Sequence, residues 1–461
     1  MRKLLLATAA SLSTLLAAGT AQAQSLKPVA PGTIVVHLNG FLQFGIDTLG
    51  STYNTFTTGG ATSKLSSVTT NGEVRLYPGF DAETINGVEY GAQVELRTAF
   101  TNGGEGINNN ATASNGNGVG SLYVRRAYGY IGEKQYGYVR FGQTDGAFGL
   151  LQDGVIETFG DGSQFSSSDT TLQVVPTKAI PSASANPFIY ADQGALYGTD
   201  KVVLISPAVT EPYLGGTFTA IASYEPNSNG FKQGAGSTCT VASITCADIS
   251  SSATSLPKQR QNTFDGAIQY ALKDWGFNTK ASFSALEGQA IHFTGTPSAA
   301  ANLDNLEVFQ AGAQTTYAGL FSPYDSLTVG ANLKWGQVMD GYVLKPKGTR
   351  DALAYIVGGS YTVGPYVVGA SFFDSQTAGN YTPGKTTEAR TLSEYGVAVG
   401  GNYIIGKDMS LYTQYLYGHS HQPGNGFNGA GTVGPVGSPA PTPAKNNTQM
   451  QVFTLGATLK W

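Results

Sequence analysis

Val88-Glu89-Tyr90-Gly91-Ala92-Gln93-Val94-Glu95-Leu96-Arg97-Thr98-Ala99-Phe100 is the stretch that decides the fold. Val88, Tyr90, Ala92, Val94, Leu96, Thr98 and Phe100 point one way, and Glu89, Gly91, Gln93, Glu95 and Arg97 the other. Successive side chains of a strand face opposite sides, so this is a strand with one apolar and one polar face. Leu327, Val329, Ala331, Leu333 and Trp335 alternate with Thr328, Gly330, Asn332 and Lys334 in the same way, and Phe453 to Trp461 does so again.

Sixteen such runs fill the chain: 34–48, 72–82, 87–100, 121–133, 136–145, 200–207, 214–225, 261–273, 276–287, 305–318, 325–337, 351–363, 365–374, 393–405, 408–419 and 449–461. Most exceed the usual globular strand of about 5–6 residues. They match the roughly 9–11 residues that a tilted strand needs to cross a hydrocarbon layer. Tight connections such as 134–135 and 274–275 take strict turns with long ones such as 49–71, 146–199 and 420–448. Lipid supplies no hydrogen-bond partners, so strands in it must close into a barrel without edges. The predicted fold is all-β, a 16-stranded antiparallel transmembrane barrel with short periplasmic turns and long outer loops. A barrel of this size leaves a water-filled lumen.

Composition excludes other classes. Charged residues make up 12% and aromatics 11% of 461 residues, the opposite of a disordered chain. No apolar stretch long enough for a membrane helix follows residue 23. Arg2 and Lys3, the apolar run Leu4 to Ala18 and Ala21-Gln22-Ala23 read as a signal peptide over 1–23. A single barrel domain over 24–461 is expected to remain. Losing Arg2 and Lys3 takes the formal net charge from −4 to −6, which argues against a nucleic-acid partner. Cys239 and Cys246 would sit in an oxidising compartment, where a disulfide closing their small loop is expected and a free pair is the alternative. Their spacing fits no zinc site.

Arg75, Arg97 and Arg125 fall on the polar faces of three consecutive strands, and Arg140 is similarly placed on the next. Strands about 4.8 Å apart would stack them into a basic ladder on one wall. Local pairing, for example of Arg97 with Glu95 or Glu89, is the alternative. Gly379 to Thr386 matches the phosphate-loop pattern, but Pro383 removes a backbone N–H and no helix follows. His419-Ser420-His421 puts two imidazoles on one strand face without a third ligand, and reads as a polar strand rim. Gly116 to Gly120 lacks the helix of a dinucleotide site. No G-x-S-x-G motif is present, so no enzyme, cofactor or metal is expected.

Glu73-Val74-Arg75-Leu76-Tyr77-Pro78-Gly79-Phe80 is similar to the second strand, with its inward Arg, of the Gram-negative general-diffusion porins of the outer membrane. Arg125-Arg126-Ala127-Tyr128-Gly129-Tyr130-Ile131-Gly132 resembles that family's R-x-A-[FY]-x-G-L pattern. Gln143 stands where an Arg is usual, Ser206-Pro207 ends a strand as in many members, and Trp461 replaces the usual terminal Phe. Glu157-Thr158-Phe159-Gly160-Asp161-Gly162 resembles the tip of the third outer loop, which folds into the lumen in that family. The resemblance implies that 146–199 is this constriction loop and that Asp153, Glu157 and Asp161 face Arg75, Arg97, Arg125 and Arg140 across the pore, with Phe159 at the tip. It further implies passive diffusion of ions and small hydrophilic solutes, the outer-membrane lipid bilayer as surroundings, and a homotrimer. A sugar-type channel with an aromatic slide is the functional alternative, since 25 Tyr residues permit one.

Overall fold

The computed structural model describes residues 30–51, 55–58, 61–64, 66–99, 123–165, 188–190, 199–213, 215–227, 251–252, 260–290, 292–293, 303–339, 342, 344–379, 389–423, 425–427, 433–435 and 447–461. The signal segment, Cys239, Cys246, Gly116 to Gly120 and most of the phosphate-loop match lie outside them.

The staves are β1 (Ile34–Ser51), β2 (Val68–Glu83), β3 (Glu89–Ala99), β4 (Tyr123–Glu133), β5 (Gly137–Thr144), β6 (Thr199–Ile205), β7 (Thr217–Asn227) and β8 (Arg260–Asp274). They continue with β9 (Phe277–Ala290), β10 (Leu306–Ala318), β11 (Asp325–Gln337), β12 (Ala352–Val363), β13 (Tyr366–Ala378), β14 (Thr391–Gly406), β15 (Met409–His421) and β16 (Asn447–Lys460). The two-residue strand Val209–Thr210 continues β6 beyond Ser206-Pro207 and pairs with β7. Each stave pairs antiparallel with its chain neighbours, and β1 closes the ring on β16 over Phe41↔Lys460 to Ser51↔Met450. At this seam the Gly40 and Trp461 backbones exchange both hydrogen bonds, of 3.1 and 3.2 Å. A Cβ on Gly40 would overlap the Trp461 indole, so glycine there makes room for the terminal ring.

The outer surface follows the period-two reading. Ile268, Val329, Val399 and Leu455 stand exposed on it. Two bands of paired rings bound this apolar belt. Phe218–Tyr270, Phe277–Tyr317 and Tyr366–Tyr403 lie at the short-turn end, and Tyr224–Phe264, Phe309–Trp335 and Tyr395–Tyr417 at the other. Tyr395 and Tyr403 on β14 are about 26 Å apart along the strand at about 3.3 Å per residue. Tilted by roughly 40°, that spans about 20 Å of bilayer, close to the apolar band of such barrels. Aromatic side chains favour the headgroup level, so the bands fix the barrel's depth.

The inner surface has two unlike walls. From β1 to β8 it carries Asp47, Glu73, Arg75, Glu95, Arg97 and Arg140, all buried in the folded lumen. From β9 to β15 it carries an apolar cluster of Leu286, Val308, Ile356, Phe373, Ala398 and Leu416, set among buried polar side chains such as Gln310, Lys334, Glu394 and Gln414. An apolar face turned to a wet lumen is unfavourable unless something covers it. Phe148, Ile156, Phe159, Phe165 and Phe188-Ile189-Tyr190 of the long β5–β6 connection belong to the same cluster and cover it. The period-two reading does not anticipate this apolar cluster on the inner face.

Candidate pore constriction

The charged wall is built on a carboxylate hub. Arg75 on β2 and Arg97 on β3 are direct cross-strand partners, a repulsive placement on its own. Glu73 pairs with Arg75, and Glu95 pairs with Arg97. Glu95 also holds Arg125 at 3.2 Å and Arg126 at 2.8 Å. Two consecutive residues of a regular strand would face opposite sides. Here the register shifts between Glu95 and Leu96, which pair with Arg126 and Val124, leaving Arg125 as the extra residue of a β-bulge. Bulges re-aim side chains in this way, and both guanidiniums reach the lumen. Arg126 also pairs with Asp145. Arg140 on β5 stacks its guanidinium 4.5 Å from the Tyr128 ring centroid and hydrogen-bonds Thr144 at 3.4 Å. Four guanidiniums thus meet three carboxylates on β2 to β4 and the start of the loop, and a fifth, that of Arg140, lies over Tyr128 beside them. Arg97 is buried on the inner face and pairs with Glu95.

The loop leaves β5 at Asp145-Gly146 and forms a single helical turn, α1 (Ala147–Leu150). The Asp265 carboxylate of β8 accepts the Phe148 N–H at 2.9 Å at the start of that turn. The chain then crosses the inner faces of β9 to β15. The Asp153 N–H donates to Ser282 Oγ at 3.2 Å, and Asn332 Nδ2 donates to the Asp153 carbonyl at 2.7 Å. The Gly154 N–H donates to Gln314 Oε1 at 3.2 Å. Thr158 bonds Ser360, Asn402 Nδ2 donates to the Gly160 carbonyl at 2.8 Å, and the Asp161 N–H donates to Gln414 Oε1 at 2.9 Å. Wall amides therefore satisfy the backbone of an irregular segment that has no ladder of its own.

The expected acids divide. Asp153 departs from the expectation that it faces the arginines: its carboxylate accepts Gln269 Nε2 of β8 at 2.8 Å and is turned to the wall under the loop. Burial pushes this carboxyl up, against the Gln269 hydrogen bond that pulls it down. Irregular backbone has no period to fix which way an acid points, so only the seating decides it. Glu157 is half-buried in the same segment. Asp161 is half-buried too, and its Oδ1 accepts the Ser163 and Gln164 N–H groups at 2.9 and 3.3 Å, bracing the tip. Phe159 is fully buried in the wall and faces no lumen. Sequence reasoning missed Arg126, the hub role of Glu95, and the partners Glu73 and Asp145. It missed the wall amides as well, although Gly312-Ala313-Gln314, Gly330-Ala331-Asn332 and Gly400-Gly401-Asn402 repeat one Gly-x-amide pattern.

A closed barrel with aromatic bands and a charged, loop-narrowed lumen defines an outer-membrane channel. A profile of the Gram-negative porins matches residues 7–422, and the chain belongs to that family. No curated protein matches it significantly. Among solved structures it is similar to the anion-selective porin from Comamonas acidovorans, at 11% identity over 93% of this chain and 100% of that one, with a TM-score of 0.48. It is also similar to OmpT of Vibrio cholerae (12%, 94% and 99%, 0.46) and to a mutant of Rh. blastica porin (13%, 93% and 100%, 0.45). The assignment rests on the family match and not on these likenesses. The protein is an outer-membrane porin, a channel for passive diffusion of ions and small hydrophilic solutes.

Proposed function

We propose that solutes are filtered where the charged wall of β2 to β5 faces the segment 147–165. Arg75, Arg97, Arg125 and Arg140, joined by Arg126, form the basic side, and Glu157 and Asp161 the acidic side; Asp153 anchors the loop. The observation that carries this reading is that Glu95 gathers Arg97, Arg125 and Arg126 on the inner side of β3 and β4. Charges in a narrow lumen act through a lower dielectric than bulk water and set ion preference. The transverse field orients dipolar solutes and disfavours apolar ones. Nothing in the family match favours a sugar-type channel.

Replacing Glu157 by Gln together with Asp161 by Asn is expected to move the reversal potential in a low-salt KCl gradient toward anions. Arg75→Ser with Arg125→Ser moves it toward cations. Both shifts shrink at about 1 M salt, where the Debye length is about 3 Å. Unchanged reversal potentials for both pairs, with a shift on neutralising outer-loop acids, would place the filter elsewhere.

The working form is proposed to be a homotrimer of single barrels that begin near Gln24, with Cys239 bonded to Cys246 in the loop between β7 and β8. One mass-spectrometric experiment reads all three. The native complex should weigh three chains, the denatured chain should lack residues 1–23, and unreduced peptides should carry the Cys239–Cys246 bond. Two free thiols, a full-length chain or a monomer would each remove its own part of the proposal.

A further inference from the structure

The loop does not merely rest on the apolar wall; it is let into it. Gly369 of β13 and Gly400 of β14 are direct cross-strand partners, and both lie on the inner face. The Phe159 ring fills the notch they leave. A Cβ on Gly369 would overlap the ring, with Phe159 Cγ at 2.6 Å. One on Gly400 would meet Phe159 Cδ2 at 3.2 Å and Gly160 Cα at 3.3 Å. The same arrangement recurs earlier on the track. A Cβ on Gly330 would meet Ile156 Cδ1 at 2.8 Å and the Gly154 backbone at 3.0 Å, and one on Gly312 would overlap the Asp153 carbonyl. The loop answers with glycines of its own. Gly154 and Gly160 have φ of +88° and +66° and press backbone against the wall, where a side chain would be both strained and obstructed.

We propose that the Gly369–Gly400 notch is the determinant of bore. By taking in the Phe159 ring it sets how deep the loop beds into the wall, and hence how much lumen is left. Close-packed interiors do not absorb an added side chain without movement. On one side of the loop stands a hydrogen-bonded sheet, and on the other, on this reading, the lumen. A side chain placed in the notch therefore displaces the loop toward the lumen. The charge on the opposite wall is untouched, so size limit and ion preference become separable properties. The inference rests on the reading of 147–165 as the constriction.

Single-channel recording in planar bilayers tests it. Gly369→Leu, and more weakly Gly369→Ala, is expected to lower the conductance in 1 M KCl, the Leu variant by roughly a third or more, because pore dimensions limit flux when charges are screened. The reversal potential in a low-salt gradient should change far less. Adding Phe159→Ala to Gly369→Leu empties the ring's place for the new side chain and should restore conductance. Gly266→Ala, on the outer face of β8 with the Ile221 carbonyl 3.9 Å from the added Cβ, should leave it unchanged. All variants are checked as folded, heat-modifiable barrels. Gly369→Leu and Gly369→Ala barrels with unaltered conductance would overturn the proposal, as would a double variant that stays narrowed. If Gly369→Leu does not fold, Gly369→Ala with and without Phe159→Ala carries the same comparison. The two readings fail differently. If only the notch is wrong, Glu157→Gln with Asp161→Asn still shifts the reversal potential. If the loop is not the constriction, neither the notch variants nor these acid variants change any reading.

Discussion

Glu95→Gln is expected to destabilise the barrel more than the other single charge neutralisations on the lumen wall, and to turn the channel toward anions. Glu95 is buried and holds Arg97, Arg125 and Arg126 together. Glu73 and Asp145 serve Arg75 and Arg126. Without Glu95, three guanidiniums converge where one carboxylate stood. Breaking a buried ion pair from one side costs about 3–5 kcal/mol, because it strands a desolvated charge. Lumen water relieves part of that, so about 2–3 kcal/mol is expected here. Glu287→Gln, on the outer face of β9, should stay within about 0.5 kcal/mol. Urea unfolding of folded barrels in vesicles, read by the heat-modifiable band shift, compares the two. Adding Arg126→Gln to Glu95→Gln should recover part of the loss, since residues of one network are not additive. A Glu95→Gln barrel as stable as Glu287→Gln would mean that solvent, and not Glu95, holds the arginines apart.

The staves were legible because their causes are local. Period-two alternation and the turns between runs place β11 at Asp325–Gln337 as read, and the other ends within a few residues. The inward direction of Arg75, Arg97 and Arg140 follows from the same alternation. The bulge at Arg125 was not legible, because one inserted residue shifts register without disturbing either flanking pattern. The direction of Asp153 was not, because a segment without repeating backbone geometry takes its orientation from the surface it lies on. The seat itself had left a trace. Ala352, Ala354 and Ile356 line the inside of β12 while Leu353, Tyr355 and Val357 line the outside. A strand apolar on both faces is buried on both faces. In a barrel of this width, that means lipid on one side and protein on the other. The Gly-x-amide repeats on β10, β11 and β14 mark the track, and passing them over as ordinary strand interruptions hid what they receive.

The sharpest test of the barrel uses adjacent residues. Ala220→Arg should be far more destabilising than Thr219→Arg, although they share β7 and differ by one position. Ala220 is exposed on the outer face between the ring bands of Phe218 and Tyr224. An arginine there meets hydrocarbon, at a cost of about 2–4 kcal/mol near the midplane. Thr219 turns inward opposite Gln269 of β8, whose amide reaches the Asp153 carboxylate. An arginine at 219 enters water within reach of an acid and should cost less than about 0.5 kcal/mol. The electrical readout runs the other way. Thr219→Arg adds a positive charge to the lumen and should move the reversal potential toward anions, whereas Ala220→Arg should leave it in place in whatever fraction folds. A soluble sandwich or an inverted register would exchange the two outcomes, because shifting a strand by one residue turns every side chain to the other face. Equal stability losses, or a reversal potential that follows Ala220, would therefore defeat the membrane topology itself and not only the assignment of β7.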